Sequence, residues 1–242
     1  MNTPLPTIFH VTHWKAGSQW VRKILEACVP DLIVTPQVYE TQFLKDPLQA
    51  GRVYPTVYVT KEQFYSVPLP QNWKRFVIIR DLRDTLVSVY FSVKFSHQAI
   101  AEEIVKWRSV LDSVNEEDGL LYMLNEWLPR CAAIQTSWLD GEETIWKYED
   151  LLQNDHAIFE QILLEQCQLA VSRERFREVV NANQFEKLSA GRKRGAEDVQ
   201  SHERKGISGD WKNHFTDKVK KEFKEKYGPL LIATGYESGL GW

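Results

Sequence analysis

Residues 7 to 25 read TIFHVTHWKAGSQWVRKIL: a short apolar run, a small polar loop with one lysine, then a run placing Trp20, Val21, Ile24 and Leu25 at helical spacing. The predicted order is strand, tight loop, helix. Such a turn aims several backbone N–H groups and the positive end of a helix at one point, where an anion is stabilised. Gly17 lets the backbone come close, Ser18 adds a hydroxyl donor and Lys15 brings a point charge to the loop mouth. The loop is not a Walker A element, G-x-x-x-x-G-K-[ST], because its lysine precedes the glycine. Taken alone, the fragment serves equally well as a plain strand-to-helix turn with an exposed lysine.

Further along, TVYVT (56–60) and RFVIIR (75–80) are β-branched runs, the second almost continuously apolar as in a strand buried on both faces. DLRDTLVSVYFSVKF (81–95) follows, with Leu82, Leu86, Val89 and Val93 on one helical face, and TIWKYEDLL (144–152) repeats the pattern in shorter form. The alternation predicts an α/β fold, a P-loop-like three-layer domain whose central, mostly parallel sheet is flanked by helices. LLYMLNEWLPRCAAIQTSWL (120–139) reads as core helices broken near Pro129. TDKVKKEFKEKYGPLL (216–231) reads as a surface helix ended by Gly228 and Pro229. Between them, residues 189–211 are charged, glycine-containing and poor in apolar residues, and read as a long loop, which in a compact domain is a functional lid or a disordered segment; a cofactor-covering loop is the expectation. Arg192, Lys193, Arg194, Arg204 and Lys205 crowd that loop, and their repulsion predicts that it orders when an anion arrives.

The 242 residues, 43% hydrophobic and 26% charged, fit one globular domain spanning 1–242. A net charge of −3 argues against a surface that binds nucleic acid, so any anion site is local. Three cysteines, Cys28, Cys131 and Cys167, make neither a disulfide framework nor a zinc site. The N-terminal stretch has no basic run followed by a long apolar one, and no segment is long enough to span a bilayer. The expectation is a cytoplasmic protein.

Four segments resemble the PAPS-dependent sulfotransferases of the cytosolic type. T-H-W-K-A-G-S-Q-W (12–20) is similar to their phosphosulfate loop, T-Y-P-K-S-G-T-T-W. R-D-L-R-D-T-L-V-S (80–88) resembles the element in which an Arg ends a strand and a Ser follows eight residues later. R-K-G-I-S-G-D-W-K-N-H-F-T (204–216) resembles R-K-G-x-x-G-D-W-K-x-x-F-T, the most specific match, and Y-E-D-L (148–151) resembles a segment whose Tyr lies near the adenine. The resemblance implies PAPS as co-substrate, with Lys15, Ala16, Gly17, Ser18 and Gln19 around the 5′-phosphosulfate. It places Arg80, Ser88, Arg204, Lys205 and Gly206 at the 3′-phosphate, and Trp20, Tyr148 and, more weakly, Phe185 at the adenine. Two separate anion sites suit a nucleotide phosphorylated at both 5′ and 3′ positions. The bare residues leave Arg80 the alternative of a surface ion pair with Asp81 or Asp84.

The implied reaction moves a sulfuryl group from PAPS to a hydroxyl or amine of a small-molecule acceptor, leaving adenosine 3′,5′-bisphosphate. Lys15 would stabilise charge growing on the bridging oxygen, and no metal is expected. The family's catalytic His, directly after a Thr, is replaced: V-Y-V-T-K-E-Q-F (57–64) has Lys61 there. Glu62 is the expected base with Lys61 as its charge-stabilising neighbour, and His13 and His97 are alternatives. Tyr90, Phe91, Trp107, Tyr122 and Trp127 are candidates for the acceptor pocket, although their helical spacing also fits the core. The family's dimer segment is matched only by Lys212 and Thr216, with Asp217 and Lys221 in place of Val and Glu, so a monomer or weak dimer is expected. Two rival readings stand beside this one: a sulfotransferase-like nucleotide-binding module without catalysis, and a P-loop phosphotransferase.

Overall fold

Strand β1 (Thr7–Thr12) is buried along its whole length and lies inside the sheet, with β2 (Val53–Val57) on one side and β3 (Trp73–Ile79) on the other. Strand β4 (Ile145–Lys147) pairs with the far edge of β3, giving the order β2-β1-β3-β4 with every pairing parallel. The structure, a computed structural model, describes residues 5–37, 42–98, 101–139, 141 and 144–242; the first four residues of the N-terminal stretch read above lie outside these.

Alternation along the strands separates the layers. Ile8, Phe76 and Ile78 pack on one face against Val21, Ile24 and Leu25 of helix α1 (Ser18–Cys28), together with Phe159 and Phe176. Phe9, Val11, Val77 and Ile79 pack on the other face against Phe64, Ile134 and Trp138. A third cluster gathers the helix Leu82–Phe91 with the helices Glu116–Glu126 and Leu128–Ser137, which part at Trp127 with Pro129 in the first turn of the second. Its members Tyr90, Phe91 and Trp127 are buried, with Trp107 and Tyr122 packed against them. These aromatics serve the core.

The last helix, Asp217–Ala233, does not stop at Gly228 and Pro229 as the sequence suggests. Val219, Phe223, Tyr227 and Leu231 are buried at four-residue spacing, so packing holds the helix through the break. Pro229 removes one backbone bond where the helix faces solvent, and Gly228 admits Leu240, whose Cδ2 would lie 2.6 Å from a Cβ there. Residues 189–209 contain no helix or strand, as expected. Two of their arginines hold backbone carbonyls: Arg192 donates to those of Ala196, Glu203 and Arg204, and Arg194 to that of Leu152. Among the described residues, no helix is long and apolar enough to cross a membrane.

Candidate active site

The carboxyl ends of β1, β3 and β4 open on one side of the sheet, and each is followed by a residue singled out in the sequence: Lys15 three residues beyond β1, and Arg80 and Tyr148 directly after β3 and β4. In open parallel sheets this edge is where ligands sit. A cavity of about 220 Å³ lies there. Its lining brings together Lys15, Gly17, Ser18, Gln19 and Trp20 from the first loop and helix with Arg80, Ser88 and Tyr148. Phe185, Arg204, Lys205 and Gly206 close it from the later part of the chain. Ala16 is fully buried behind the loop and does not reach the cavity.

The first loop is held in an uncommon shape. Lys15 has φ +66 and Gly17, which opens α1, has φ +81. A left-handed non-glycine residue costs about 1–3 kcal/mol and persists only where surrounding bonds fix it. Here the Arg80 guanidinium does so, donating from Nη1 to the Lys15 carbonyl at 2.9 Å. At Gly17 a Cβ would meet the Tyr148 ring at 2.6 Å, so only glycine lets that ring close over the loop. Burial first, then the nearby Arg80 and Arg204, lower the Lys15 ammonium to about 8, with Glu203 working the other way.

Arg80 is 9% exposed. Its backbone N–H donates to His13 Nε2 at 3.1 Å, while His13 Nδ1 faces the Trp14 carbonyl at 2.9 Å, which assigns the neutral Nδ1–H tautomer. Burial pulls this imidazole down to about 4. His13 is therefore a strut for the Arg80 loop, not an alternative base. The guanidinium lies 4.8 Å from the Tyr148 ring centre, and its Nε is buried with no partner among the described residues. Arg80 is among the residues that line the cavity.

The loop before the last helix is moored through two carboxylates. Asp84, one turn after Arg80, accepts from the backbone N–H of Gly209 at 2.6 Å and of Trp211 at 2.9 Å. Asp210 accepts from Arg204 Nη2 at 2.5 Å, Lys205 Nζ at 2.6 Å and Asn213 Nδ2 at 2.9 Å. Burial opposes the charge of Asp210, but donors from His214, Lys205, Asn213 and Arg204 outweigh it and hold the carboxyl well below the usual range. The Asp84 carboxylate, foreseen as an alternative ion-pair partner of Arg80, bonds the loop backbone while Arg80 still stabilises its charge from nearby. Glu197, Asp210 and His214 bring ligand atoms within 4.8 Å of one another, yet Asp210 is already surrounded by these cationic donors. Gly206, at φ +65, lets the Phe185 ring approach, since a Cβ there would sit 2.4 Å from it.

Lys61 and Glu62 do not line the cavity. Thr60 caps the helix Lys61–Tyr65 in a reciprocal pair with Gln63, the Lys61 N–H donates to Ser137 Oγ at 3.0 Å, and Glu62 is left exposed on the first turn. The expected base, Glu62, is thus not among the residues lining this cavity, and the capping pair sets which way its helix starts. Sequence reasoning missed Trp14, Tyr58, Arg194 and His202 in the lining. Trp14 stacks on Tyr58 at 4.5 Å, and Tyr58 donates to Ser18 Oγ at 2.8 Å. Trp14 stands where the family motif has Pro, which was the available signal for a bulky wall beside Lys15.

Comparisons with known proteins agree with this geometry. The sulfotransferase domain model matches residues 5–235. Among solved structures, mouse sulfotransferase SULT7A1 complexed with PAP aligns with TM-score 0.60 at 18% identity, covering 93% of this chain and 84% of that one. Retinol dehydratase with retinol and PAP aligns with TM-score 0.57 at 14% identity over 96% of this chain and 82% of that one. The same enzyme with androsterone and inactive cofactor PAP gives 0.59, at 13% identity over 94% and 82%. No curated protein matches the chain by sequence. With a family model spanning nearly its whole length and four family-like segments folded onto one sheet edge, the chain belongs to the sulfotransferase domain family.

Proposed function

We propose that the cavity binds PAPS with its 5′-phosphosulfate at the Lys15 loop and its 3′-phosphate between Arg80, Ser88 and the Arg204–Gly206 segment. The chain is a PAPS-dependent sulfotransferase. The observation that carries the residue assignment is convergence: cations and donors separated by up to 190 positions in the chain, from Lys15 to Lys205, line one cavity. The Arg80 Nε without a partner and the strained Lys15 loop fit an anionic ligand. Trp20, edge-on to Tyr148 at 6.3 Å, and Phe185 supply aromatic surface for a purine.

PAPS supplies a sulfuryl group on a good leaving group, and the protein's share of such a transfer is positioning and charge stabilisation. Lys15 neutralises negative charge that grows on the bridging oxygen as the S–O bond breaks. The backbone N–H groups opening α1 hold the 5′ end, and the wall of Trp14 and Tyr58 faces a small-molecule hydroxyl or amine acceptor. Thr216 caps the last helix and donates to Glu117, which removes one element of the family's dimer contact and supports a monomer or weak dimer. The proposed compartment is the cytoplasm, where PAPS is available and the three cysteines stay reduced.

A second reading, nucleotide binding without transfer, draws on Lys61 and Glu62 standing off the cavity. Calorimetry with adenosine 3′,5′-bisphosphate, ATP with magnesium and 5′-AMP tests the nucleotide; preference for the bisphosphate supports the assignment and preference for ATP overturns it. Release of labelled sulfate from PAPS to a phenol panel separates transfer from binding alone.

A further inference from the structure

The chain has six histidines, and four are committed elsewhere. His10 stacks on Phe76 and faces the Pro55 carbonyl, His13 braces Arg80, His156 meets Asn181, and His214 lies between Asp210 and Glu116. His97 and His202 line the cavity. His97 ends a widened turn after the helix Leu82–Phe91, with Nδ1 at 2.8 Å from the Gln98 carbonyl. His202 has no hydrogen bond to any described residue and keeps a face to solvent.

We infer that His202 is a further ligand for the 5′ anion of the nucleotide, binding it as an imidazolium that takes its proton from solvent when the anion arrives. The inference rests on the proposed nucleotide site. Its geometry comes from the mooring of the neighbouring residues. Glu203 bonds Lys23 Nζ at 2.9 Å, tying the loop to α1, the helix that opens at the Lys15 turn. Arg204 and Lys205, next along the chain, are tied to Asp210. These anchors on its C-terminal side hold exposed His202 in the cavity lining that it shares with Lys15.

The charged and titratable groups around it are Lys15, Lys23 and His97, which oppose its protonation, and its neighbour Glu203, which favours it; Arg194, Arg204 and Lys205 line the same cavity. Confinement in the cavity wall, then the field of Lys15, hold the free imidazole below its ordinary value, with Lys23 adding to this and Glu203 opposing it. Glu203 is already engaged by Lys23, so it offers His202 little. A phosphate or phosphosulfate dianion entering at Lys15 reverses the sign of the local field and favours the imidazolium. The bound pKa exceeds the free one, so capture of the nucleotide consumes protons. The extra affinity is fully present below the free pKa and is lost as pH rises through the bound one.

The test is calorimetry of adenosine 3′,5′-bisphosphate binding near pH 7 in two buffers of different ionisation enthalpy, for the wild type, His202→Gln, His202→Arg and His97→Gln. Lys15, with its pKa of about 8, is largely protonated there in both states and contributes little. The wild type and His97→Gln should show net proton uptake relative to His202→Gln and His202→Arg. Affinity below pH 7 should fall about tenfold in His202→Gln, as on losing a charge-assisted contact, and recover in His202→Arg, whose charge is fixed. Above pH 8.5 the wild type and His202→Gln should bind alike. Tight binding with uptake unchanged in His202→Gln, or lost instead in His97→Gln, overturns the inference while leaving the nucleotide site standing. No binding by a wild type that is folded by circular dichroism overturns both.

Discussion

The cationic end of the cavity and its aromatic wall are built on different principles. At the cationic end the backbone is tightly tied: Arg80 is braced by His13 and holds the Lys15 carbonyl, and Asp84 and Asp210 moor the loop carrying Arg204 and Lys205. At the wall, Trp14 and Tyr58 stack on each other and pack on the core layer behind them, with the Tyr58 hydroxyl donating to Ser18. Burial pushes the Tyr58 hydroxyl up to about 12, so it remains a neutral donor. Anion capture needs fixed charge at fixed points, and points fixed by strand ends leave a pattern in the sequence. Fitting an acceptor needs shape, which core-type residues supply without a pattern.

The sharpest way to break this contrast is Arg80→Ala. Truncating one member of a buried charged contact costs 2–5 kcal/mol, so affinity for adenosine 3′,5′-bisphosphate should fall about a hundredfold or more. Affinity for 5′-AMP, which lacks the 3′ phosphate, should fall only severalfold. Calorimetry with both ligands measures the difference, and equal losses would show that the two anion poles are one.

Gly206→Ala probes the same end through shape. The new Cβ would lie 2.4 Å from the Phe185 ring and the residue would keep φ +65, so ring and loop must separate. About tenfold weaker bisphosphate binding is expected, from left-handed strain on the order of 1 kcal/mol and the displaced ring, with the melting temperature nearly unchanged. Unchanged affinity would mean that Phe185 is not part of the nucleotide surface.

The Lys15 ammonium gives a pH signature. Its pKa of about 8 in the free site rises when an anion binds beside it, so binding takes up a proton above that pH. Affinity is then highest below pH 8 and declines as pH rises through the bound value, by up to about tenfold per unit for one linked proton. Between pH 8 and 9 a loss of about fivefold is expected, absent in Lys15→Ala. A flat profile in the wild type would take Lys15 away from the anion.

These predictions fall where the sequence was legible. TIFHVT, RFVIIR and the run before Tyr148 became parallel strands because their apolar residues alternate toward two helix layers. That Lys15, Arg80 and Arg204 would meet at one cavity was readable mainly through the family-like segments that carry them. Asp84 was not, since a carboxylate beside arginines reads as an ion pair until the backbone of Gly209 and Trp211 is placed on it. The helix running past Pro229 was hidden for a similar reason: Val219, Phe223, Tyr227 and Leu231 are held by distant core residues. His202 lay in a loop whose course is set by contacts distant in sequence, such as Lys23–Glu203 and Lys205–Asp210, and by its own internal bonds.

The smallest expected effect sharpens the other side of the comparison. Glu62 follows the position that aligns with the family's histidine, yet it is exposed on a helix whose start is set by the Thr60–Gln63 capping pair. A base must come within hydrogen-bond reach of the proton it removes, directly or through one water. From its place off the cavity, Glu62→Gln should change sulfate transfer to phenols and bisphosphate affinity by less than about twofold, and stability by less than about 0.5 kcal/mol, as for a surface substitution. Thr60→Ala is the informative companion. It removes the cap, costs about 1 kcal/mol, and frees the segment between Tyr58 and Lys61 to turn. If Glu62→Gln were silent in the wild type but lowered transfer in the Thr60→Ala background, the cap would be what keeps this carboxylate away from the acceptor. A large loss from Glu62→Gln alone would mean that the helix turns inward when nucleotide and acceptor are bound. The aromatic wall would then be only half of the acceptor site.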